Sequence, residues 1–242
     1  MLLERLISLF LSLFVILSVA RHLMPESFGK LSYLLAMLSL VAPLMAVGLN
    51  SVISREVLKR PHDRDLIIGS AFLLRGIASL IVIPFVISLA YLYLNSTERQ
   101  LFAFLALCSL FHTVFIVDFW LQAHVANCYG VILRLITIVI FSVARLVAIE
   151  LDADMSLFVY ISGIEIVCLG LFYGFTYHRL TGGIKQLHTS CEECFRLLRD
   201  SRWLIFSGIA ASIYLKVDQV MLGVLIDDRA VGIYAAAARL SE

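Results

Sequence analysis

Residues 207–223, SGIAASIYLKVDQVMLG, place two charged side chains, Lys216 and Asp218, inside a long apolar run. The run covers residues 203–226, about 36 Å of helix, which is long enough to cross a bilayer. Ionisable groups at that depth are costly unless they are paired or hydrated, so they indicate a functional site. The sequence continues into another apolar run and stops at Glu242, and we therefore expect the N-terminal portion of a longer protein.

The composition excludes a soluble globular protein. Of the 242 residues, 61% are hydrophobic and only 15% are charged, and the mean hydropathy is +0.97. One soluble core of this size cannot bury so much apolar surface, so we predict an all-α polytopic membrane protein in contact with membrane lipid. The first apolar run lacks a signal-peptide cleavage pattern and is predicted to be a retained span. No nucleic-acid partner is expected.

Seven apolar runs have the length of membrane-spanning helices, and an eighth begins at Ala230. They cover residues 6–23, 31–53, 76–94, 101–120, 131–151, 157–177 and 203–226. With a cytoplasmic N-terminus, the basic residues at the inner ends are Arg5, Arg55, Lys59, Arg60, Arg64, Arg179, Lys185, Arg196, Arg199 and Arg202. Those at the outer ends are only Arg21, Lys30, Arg99 and Arg229. This bias predicts a multi-pass protein whose N-terminus is cytoplasmic.

The five cysteines do not predict a disulfide framework, because two lie in spans and three lie on the reducing inner side. His188, Cys191 and Cys194 have the spacing of metal ligands, but three ligands without a fourth make a poor structural zinc site. We expect ordinary thiols here, and neither a metal nor a cofactor.

Two hairpin sequences form an internal repeat. Residues 23–29, LMPESFG, and 226–232, IDDRAVG, share an apolar residue, a turn with an acid, a second apolar residue and a glycine at one spacing. Six spans separate them, so both hairpins have the same orientation, as in a transporter built from two parallel repeats. We predict a six-helix lobe (residues 1–177), a cytoplasmic linker with a possible amphipathic helix (178–202) and the first hairpin of a second lobe (203–242).

Four segments resemble the polysaccharide-transport family of the multidrug/oligosaccharidyl-lipid/polysaccharide exporters, which includes the O-antigen flippases. They are Ala20-Arg21-x-Leu23-x-Pro25-Glu26-x-Phe28-Gly29-x-Leu31-x-Tyr33, Gly48-Leu49 with Arg55-Glu56, Phe119-Trp120-Leu121-Gln122-Ala123 with Tyr129, and Ile213-Tyr214-x-x-Val217-Asp218-x-x-Met221-Leu222-Gly223 followed by Val231-Gly232-Ile233-Tyr234-x-x-Ala237-x-Arg239. Met24 departs from the family's usual Gly-Pro-Glu turn, and Lys216 is not a residue that the family requires.

The resemblance implies a V-shaped pair of six-helix lobes, of which this chain holds the first lobe, the seventh helix and the start of the eighth. It also implies a flippase, not an enzyme, in a bacterial inner membrane. The substrate would be a polyprenyl-diphosphate-linked oligosaccharide, such as an O-antigen unit for lipopolysaccharide or an exopolysaccharide unit, moved by alternating access. The missing C-terminal lobe, in the same or a split chain, would be a partner. The alternatives are a multidrug or cation antiporter, a peptidoglycan-precursor flippase and a nonfunctional fragment.

A flippase for such a lipid needs a hydrated cationic cavity. On the seventh span, Tyr214 and Asp218 share one helix face, and Lys216 and Gln219 share another, so an ion pair between Lys216 and Asp218 is not expected. We expect Asp218 to accept a hydrogen bond from Tyr214 or from a neighbouring arginine. Asp218 either binds sugar or a coupling proton or makes a structural contact, and Lys216 either binds phosphate or lines a hydrated wall.

The fifth span carries Arg134 and Arg145 eleven residues apart, and therefore on one face with about 16 Å between them. Arg134 is close to the inner end and either reaches the interface or lines the cavity. Arg145 and Glu165 lie at similar depths on either side of a short outer loop, which predicts an ion pair. That pair either holds two helices together or gates Arg145 as a diphosphate or sugar ligand.

Arg21, Arg75 and His112 are lesser candidates for the site. Arg75 precedes an apolar span and is predicted to mark the inner interface, where basic residues collect. His112 lies near the middle of a span, where it either relays a proton or packs with a hydrogen bond.

Overall fold

The computed structural model describes residues 2–123, 127–181 and 188–241, and within these ranges the chain is helical without a strand. The helices are α1 (Leu2–Ala46), α2 (Leu49–Lys59), α3 (Arg64–Tyr93), α4 (Ser96–Cys108), α5 (Ile116–Ala123), α6 (Asn127–Glu150), α7 (Met155–Thr181), α8 (Cys191–Leu225) and α9 (Asp228–Ser241). Short 3-10 segments occupy Pro61–Asp63 and Ser109–Phe115. Among the described residues, six stretches are long and apolar enough to span a membrane, which confirms the all-α polytopic fold. Lys185 and Glu242 lie outside the described residues.

Helix α1 contains the first predicted span and most of the second. Its 45 residues would make about 68 Å of straight helix, more than twice the hydrocarbon thickness of a bilayer. Met24 breaks the helix with φ 61° and ψ 162°, and Pro25 opens the second segment, where its fixed φ suits a helix start. This backbone region strongly favours glycine, so Met24 holds the turn at a cost in free energy.

Two predicted spans are interrupted in the structure. The second predicted span is interrupted after Ala46, where α1 ends, because Val47 and Gly48 have positive φ values of 53° and 58°. Helix α2 follows as a separate amphipathic helix. The fourth predicted span passes from α4 through the 3-10 segment Ser109–Phe115 into α5. The second span therefore consists of two α-helices separated by a turn, and the fourth combines α and 3-10 segments.

Two helices begin well before the spans predicted for them. Helix α3 starts at Arg64, so Arg75 lies inside the helix and is only 2% exposed. The prediction that Arg75 marks the inner interface is wrong. Helix α8 runs unbroken from Cys191 to Leu225, so the helix predicted within the linker and the seventh span are one continuous element.

The two hairpins of the internal repeat meet at one end of the molecule, which we call the outer end. A Cβ atom on Gly29 would overlap the backbone carbonyl of Asp228, and a Cβ atom on Gly232 would overlap that of Pro25. Pro25 and Asp228 occupy the same position in the two copies of the repeat, so these contacts are reciprocal, as they are across a two-fold axis. Glycine at both positions lets α1 and α9 touch backbone to backbone.

At the opposite end, which we call the inner end, α2 packs against α3, α5 and the first part of α8. The buried side chains of this core include Leu49, Ile53, Val57, Ile67, Ile68, Trp120, Leu121, Tyr177 and Leu197. Apolar burial therefore attaches the start of α8 to α2, α3 and α5. Between the two ends, α1, α2, α3 and α8 leave an open cavity.

Candidate functional site

The cavity has a volume of about 550 Å³ and lies among α1, α2, α3, α5, α8 and the 3-10 segment Ser109–Phe115. Its polar lining comes from Asn50, Ser51, Arg75, His112, Ser207 and Ser212. Helix α8 forms one wall, because Leu204, Ser207, Gly208 and Ala211 recur at the spacing of one helix face. Within the described part of the chain, no carboxylate lines this cavity.

Arg75 is the charged side chain of the cavity. It lies eleven residues beyond the start of α3, about 16 Å along the helix. Its Nη2 donates to Oδ1 of Asn50, its guanidinium lies 5.9 Å from the ring centroid of Phe119, and its buried Nε has no hydrogen-bond partner. Among the described residues, no carboxylate forms an ion pair with it. A buried guanidinium without a counter-ion is costly, and an anionic ligand would supply the missing partner.

The 3-10 segment Ser109–Phe115 separates the cavity from an apolar groove. With three residues per turn, side chains three positions apart share a face. His112 and Phe115 line the cavity, whereas Phe111 and Val114 line a groove of about 470 Å³ between α3 and α7. The His112 ring packs edge-on against Phe115, with 4.7 Å between centroids, and its buried Nδ1 has no hydrogen-bond partner. His112 is therefore a second cavity-lining residue with a buried, unsatisfied polar atom.

The four candidates on the outer half of α8 lie beyond the described cavity lining. Asp218 accepts a hydrogen bond from the Tyr234 hydroxyl at 2.8 Å, because α9 folds back along α8 and brings this side chain to it. The prediction that Tyr214 or an arginine would be the donor is wrong. Tyr214 is 82% exposed, Lys216 is half-buried and Gln219 is buried, so these side chains differ in their surroundings.

Arg134 belongs to a buried network and does not line the cavity. Its Nη1 lies 3.1 Å from Oδ2 of Asp118, which also accepts from Nε2 of Gln122 at 2.9 Å. The Tyr173 hydroxyl donates to Oδ1 of Asp118 at 3.0 Å. Three donors thus satisfy a carboxylate that is 8% exposed, and the network joins α5, α6 and α7.

Arg145 and Glu165, which the sequence predicts to pair, are in contact. Nη2 of Arg145 lies 2.6 Å from Oε2 of Glu165 and 3.3 Å from the Ser162 hydroxyl. The contact joins α6 to α7, and Arg145 is not among the described lining residues of the cavity. Arg21 is exposed near the Met24 turn. The structure therefore brings together the predicted pair but places both of its members away from the cavity.

Comparison with known proteins identifies the family. A family model described as polysaccharide biosynthesis protein matches residues 1–242. The chain belongs to the polysaccharide biosynthesis protein family. This membership confirms the family resemblance of the four sequence segments. No curated protein and no solved structure matches the chain.

Membership in the polysaccharide biosynthesis protein family, together with the membrane-spanning helices, supports a role in polysaccharide transport within a lipid environment. A polar sugar cannot cross the hydrocarbon core of a bilayer without polar surroundings. In this family member, the cavity around Arg75 brings polar groups to the interior of the spans.

Proposed function

We propose that the protein moves a polyprenyl-diphosphate-linked oligosaccharide across a bacterial inner membrane by alternating access, as a transporter and not as an enzyme. The sugar and the diphosphate pass through the cavity, while the prenyl chain stays in lipid. The inner end and the N-terminus face the cytoplasm, in agreement with the excess of basic side chains there. A second lobe, in the same or a split chain, completes the transporter in this proposal.

The observation that carries this proposal is the buried, carboxylate-free guanidinium of Arg75 at the cavity. A guanidinium binds phosphate oxygens through parallel N–H groups, and the buried Nε of Arg75 has no hydrogen-bond partner in the described structure. Asn50, Ser51 and Ser212 add donors and acceptors that suit sugar hydroxyls. The cavity thus offers one anion-binding group beside neutral polar groups, which matches a diphosphate joined to a glycan.

A multidrug or cation antiporter fits the cavity less well. Its substrate would meet the charge of Arg75 without a lining carboxylate to offset it, and such an unpaired like charge disfavours binding. Asp218, the acid on which this alternative depends, lies outside the described lining and is bonded to Tyr234.

Substitution of Arg75 tests the proposal. Loss of a hydrogen bond to a charged group costs about 1.5–3 kcal/mol, which corresponds to about 10- to 150-fold in affinity. We expect Arg75→Met to slow flipping of a fluorescent polyprenyl-diphosphate oligosaccharide in proteoliposomes by about 10- to 150-fold when the substrate is below saturation. Arg75→Lys keeps the positive charge but loses the paired N–H donors of the guanidinium, and this variant is expected to transport at an intermediate rate.

Arg21→Met is the matched control, because Arg21 is an exposed arginine near the outer end. It is expected to transport at the wild-type rate. Transport by Arg75→Met at that same rate would overturn the proposal.

A further inference from the structure

A cluster of charged side chains ties the end of α2 to the start of α8. Arg60 donates to both carboxylate oxygens of Glu193, from Nη2 at 2.7 Å and from Nη1 at 3.2 Å, and its Nη2 also donates to Glu56 at 3.1 Å. Glu56 and Glu193 are only 3% and 7% exposed. Bidentate contacts between arginine and carboxylate are among the stronger hydrogen bonds in proteins. We call Glu56, Arg60 and Glu193 the inner cluster.

The two carboxylates of the inner cluster differ in their dependence on Arg60. Glu56 has three further cations within 4.0 Å, which are Arg55, Lys59 and Arg196. Within the described ranges, Glu193 has Arg60 as its one cationic partner. The hydrogen bonds with Glu193 raise the pKa of Arg60 above its usual range, so Arg60 stays charged at physiological pH. Moving α8 away from α2 therefore leaves Glu193 without a counter-ion among the described residues, whereas Glu56 keeps cations on its own helix.

The helices that the inner cluster joins are also two walls of the cavity. Asn50 and Ser51 line it from α2, and residues 204–212 line it from α8. Glu193 precedes Leu204 by eleven residues, about 16 Å along α8, so the cluster lies between the cavity and the inner end. A Cβ atom on Gly48 would come within 2.8 Å of the Ile205 backbone nitrogen. The two walls thus meet first at Gly48 and then at the inner cluster.

We propose that the inner cluster is a latch that closes the cavity at the inner end, and that separating Arg60 from Glu193 opens the cavity to the cytoplasm. The proposal rests on the proposed function, because alternating access requires the cavity to open at each end in turn. An ion pair suits this role, since water can replace each partner once the helices part, whereas a dry apolar contact has no such substitute.

Accessibility of a cavity cysteine tests the latch without a transport substrate. The reporter is Ser207→Cys in a full chain whose five native cysteines are replaced by serine. A membrane-impermeant maleimide is added to inside-out vesicles, where it reaches the inner end. We expect Glu193→Gln to raise the labelling rate several-fold, and the charge-swapped pair Arg60→Glu with Glu193→Arg to return it to the parent rate.

Glu192→Gln is the matched control, since Glu192 is the exposed neighbour of Glu193, and its labelling rate is expected to stay unchanged. A parent labelling rate in Glu193→Gln would overturn the latch. If Glu193→Gln does not fold, the charge-swapped pair Arg60→Glu with Glu193→Arg decides. A labelling rate above that of the parent would overturn the latch, and a rate equal to that of the parent would support it. Labelling is independent of transport, so failure of the latch leaves the transport proposal to the Arg75 variants.

Discussion

The inner and outer ends of the molecule hold the α8–α9 hairpin in different ways. At the inner end, the long side chain of Arg60 bridges acids on two helices. At the outer end, Gly29 and Gly232 bring two backbones into contact with no side chain between them. Side chains can rotate and exchange a partner for water, whereas close-packed backbones have no such freedom. In the latch proposal, α8 therefore moves at the inner end and pivots about the outer end.

The largest effect is expected from removing apolar packing beside the inner cluster. Leu197 of α8 is fully buried, so Leu197→Ala is expected to lower the free energy of unfolding by about 2–5 kcal/mol. Leu198→Ala, at a 38% exposed neighbour, is expected to change it by no more than about 0.5 kcal/mol. Thermal unfolding in detergent measures both. Equal changes in the free energy of unfolding for the two variants would mean that the start of α8 is not packed against α2, α3 and α5. The two ends would then not differ in the way described above.

A single added methyl group is expected to disrupt the backbone contact at the outer end. Gly232→Ala places a Cβ atom on the Pro25 carbonyl oxygen, and because backbone cannot move aside, the cost is expected to be about 1–3 kcal/mol or more. Gly76→Ala is the control, since no atom lies within 4 Å of its added Cβ, and it is expected to stabilise α3 by about 0.5–1 kcal/mol. Equal melting temperatures for Gly232→Ala and Gly76→Ala would contradict a close backbone contact at the outer end, and with it the proposed pivot there.

The turn at Met24 offers a way to strengthen the outer end. Met24→Gly relieves a backbone conformation that costs about 1–3 kcal/mol in other residues, and the entropy of glycine offsets about 0.5–1 kcal/mol of the gain. The melting temperature is therefore expected to rise. Met37→Gly, within regular α1 and packed against the core, is expected to lower the free energy of unfolding by about 1 kcal/mol or more, and with it the melting temperature. A lower melting temperature for Met24→Gly would show that the turn is not strained.

The smallest effect concerns Asp228 at the outer end. Burial and, after it, neighbouring acids raise its pKa above the ordinary value of 3.8, while Lys30 lowers it. The acids are Glu98, Glu26 and Asp227. A carboxyl whose pKa is higher in the folded protein stabilises the fold below its unfolded pKa, and this contribution is lost as the pH rises through the folded pKa.

Asp228→Asn is therefore expected to raise the melting temperature slightly at about pH 7 and to leave it unchanged below about pH 4. Asp152→Asn, at a fully exposed side chain, serves as the control and should show no such difference. A lower melting temperature for Asp228→Asn at neutral pH would mean that the Lys30 contact outweighs burial.

Several features of the fold were predictable because they depend on length and depth alone. Apolar runs located the spans, and counting residues from a short outer loop placed Arg145 opposite Glu165. The repeated glycines were also visible in the sequence, although their reciprocal contact depends on how α1 packs against α9. Locating the spans and the Arg145–Glu165 pair needs no knowledge of how distant helices pack.

The candidate site was less predictable because it depends on packing between distant helices. Arg75 was assigned to an interface on the rule that a charge ends a span, although residues 66–74 form an apolar run ahead of it. This apolar run indicates that the helix begins well before Arg75, as α3 does. The Asp118 network had only one local sign, Gln122 one helical turn later. The donor to Asp218 comes from α9, whose path along α8 no local pattern specifies.

The 3-10 segment Ser109–Phe115 gives the wall of the cavity a mechanical property. A 3-10 helix rises about 2.0 Å per residue with three residues per turn, against about 1.5 Å and 3.6 residues for an α-helix. Rewinding these seven residues as α-helix would shorten the segment by about 3.5 Å and turn one end by about 140° relative to the other. Side chains near one end of the segment would then turn toward the opposite side of the wall, while those near the other end would keep their orientation. The seven residues thus couple the length of one span to the chemistry of the surface that a passing sugar would meet.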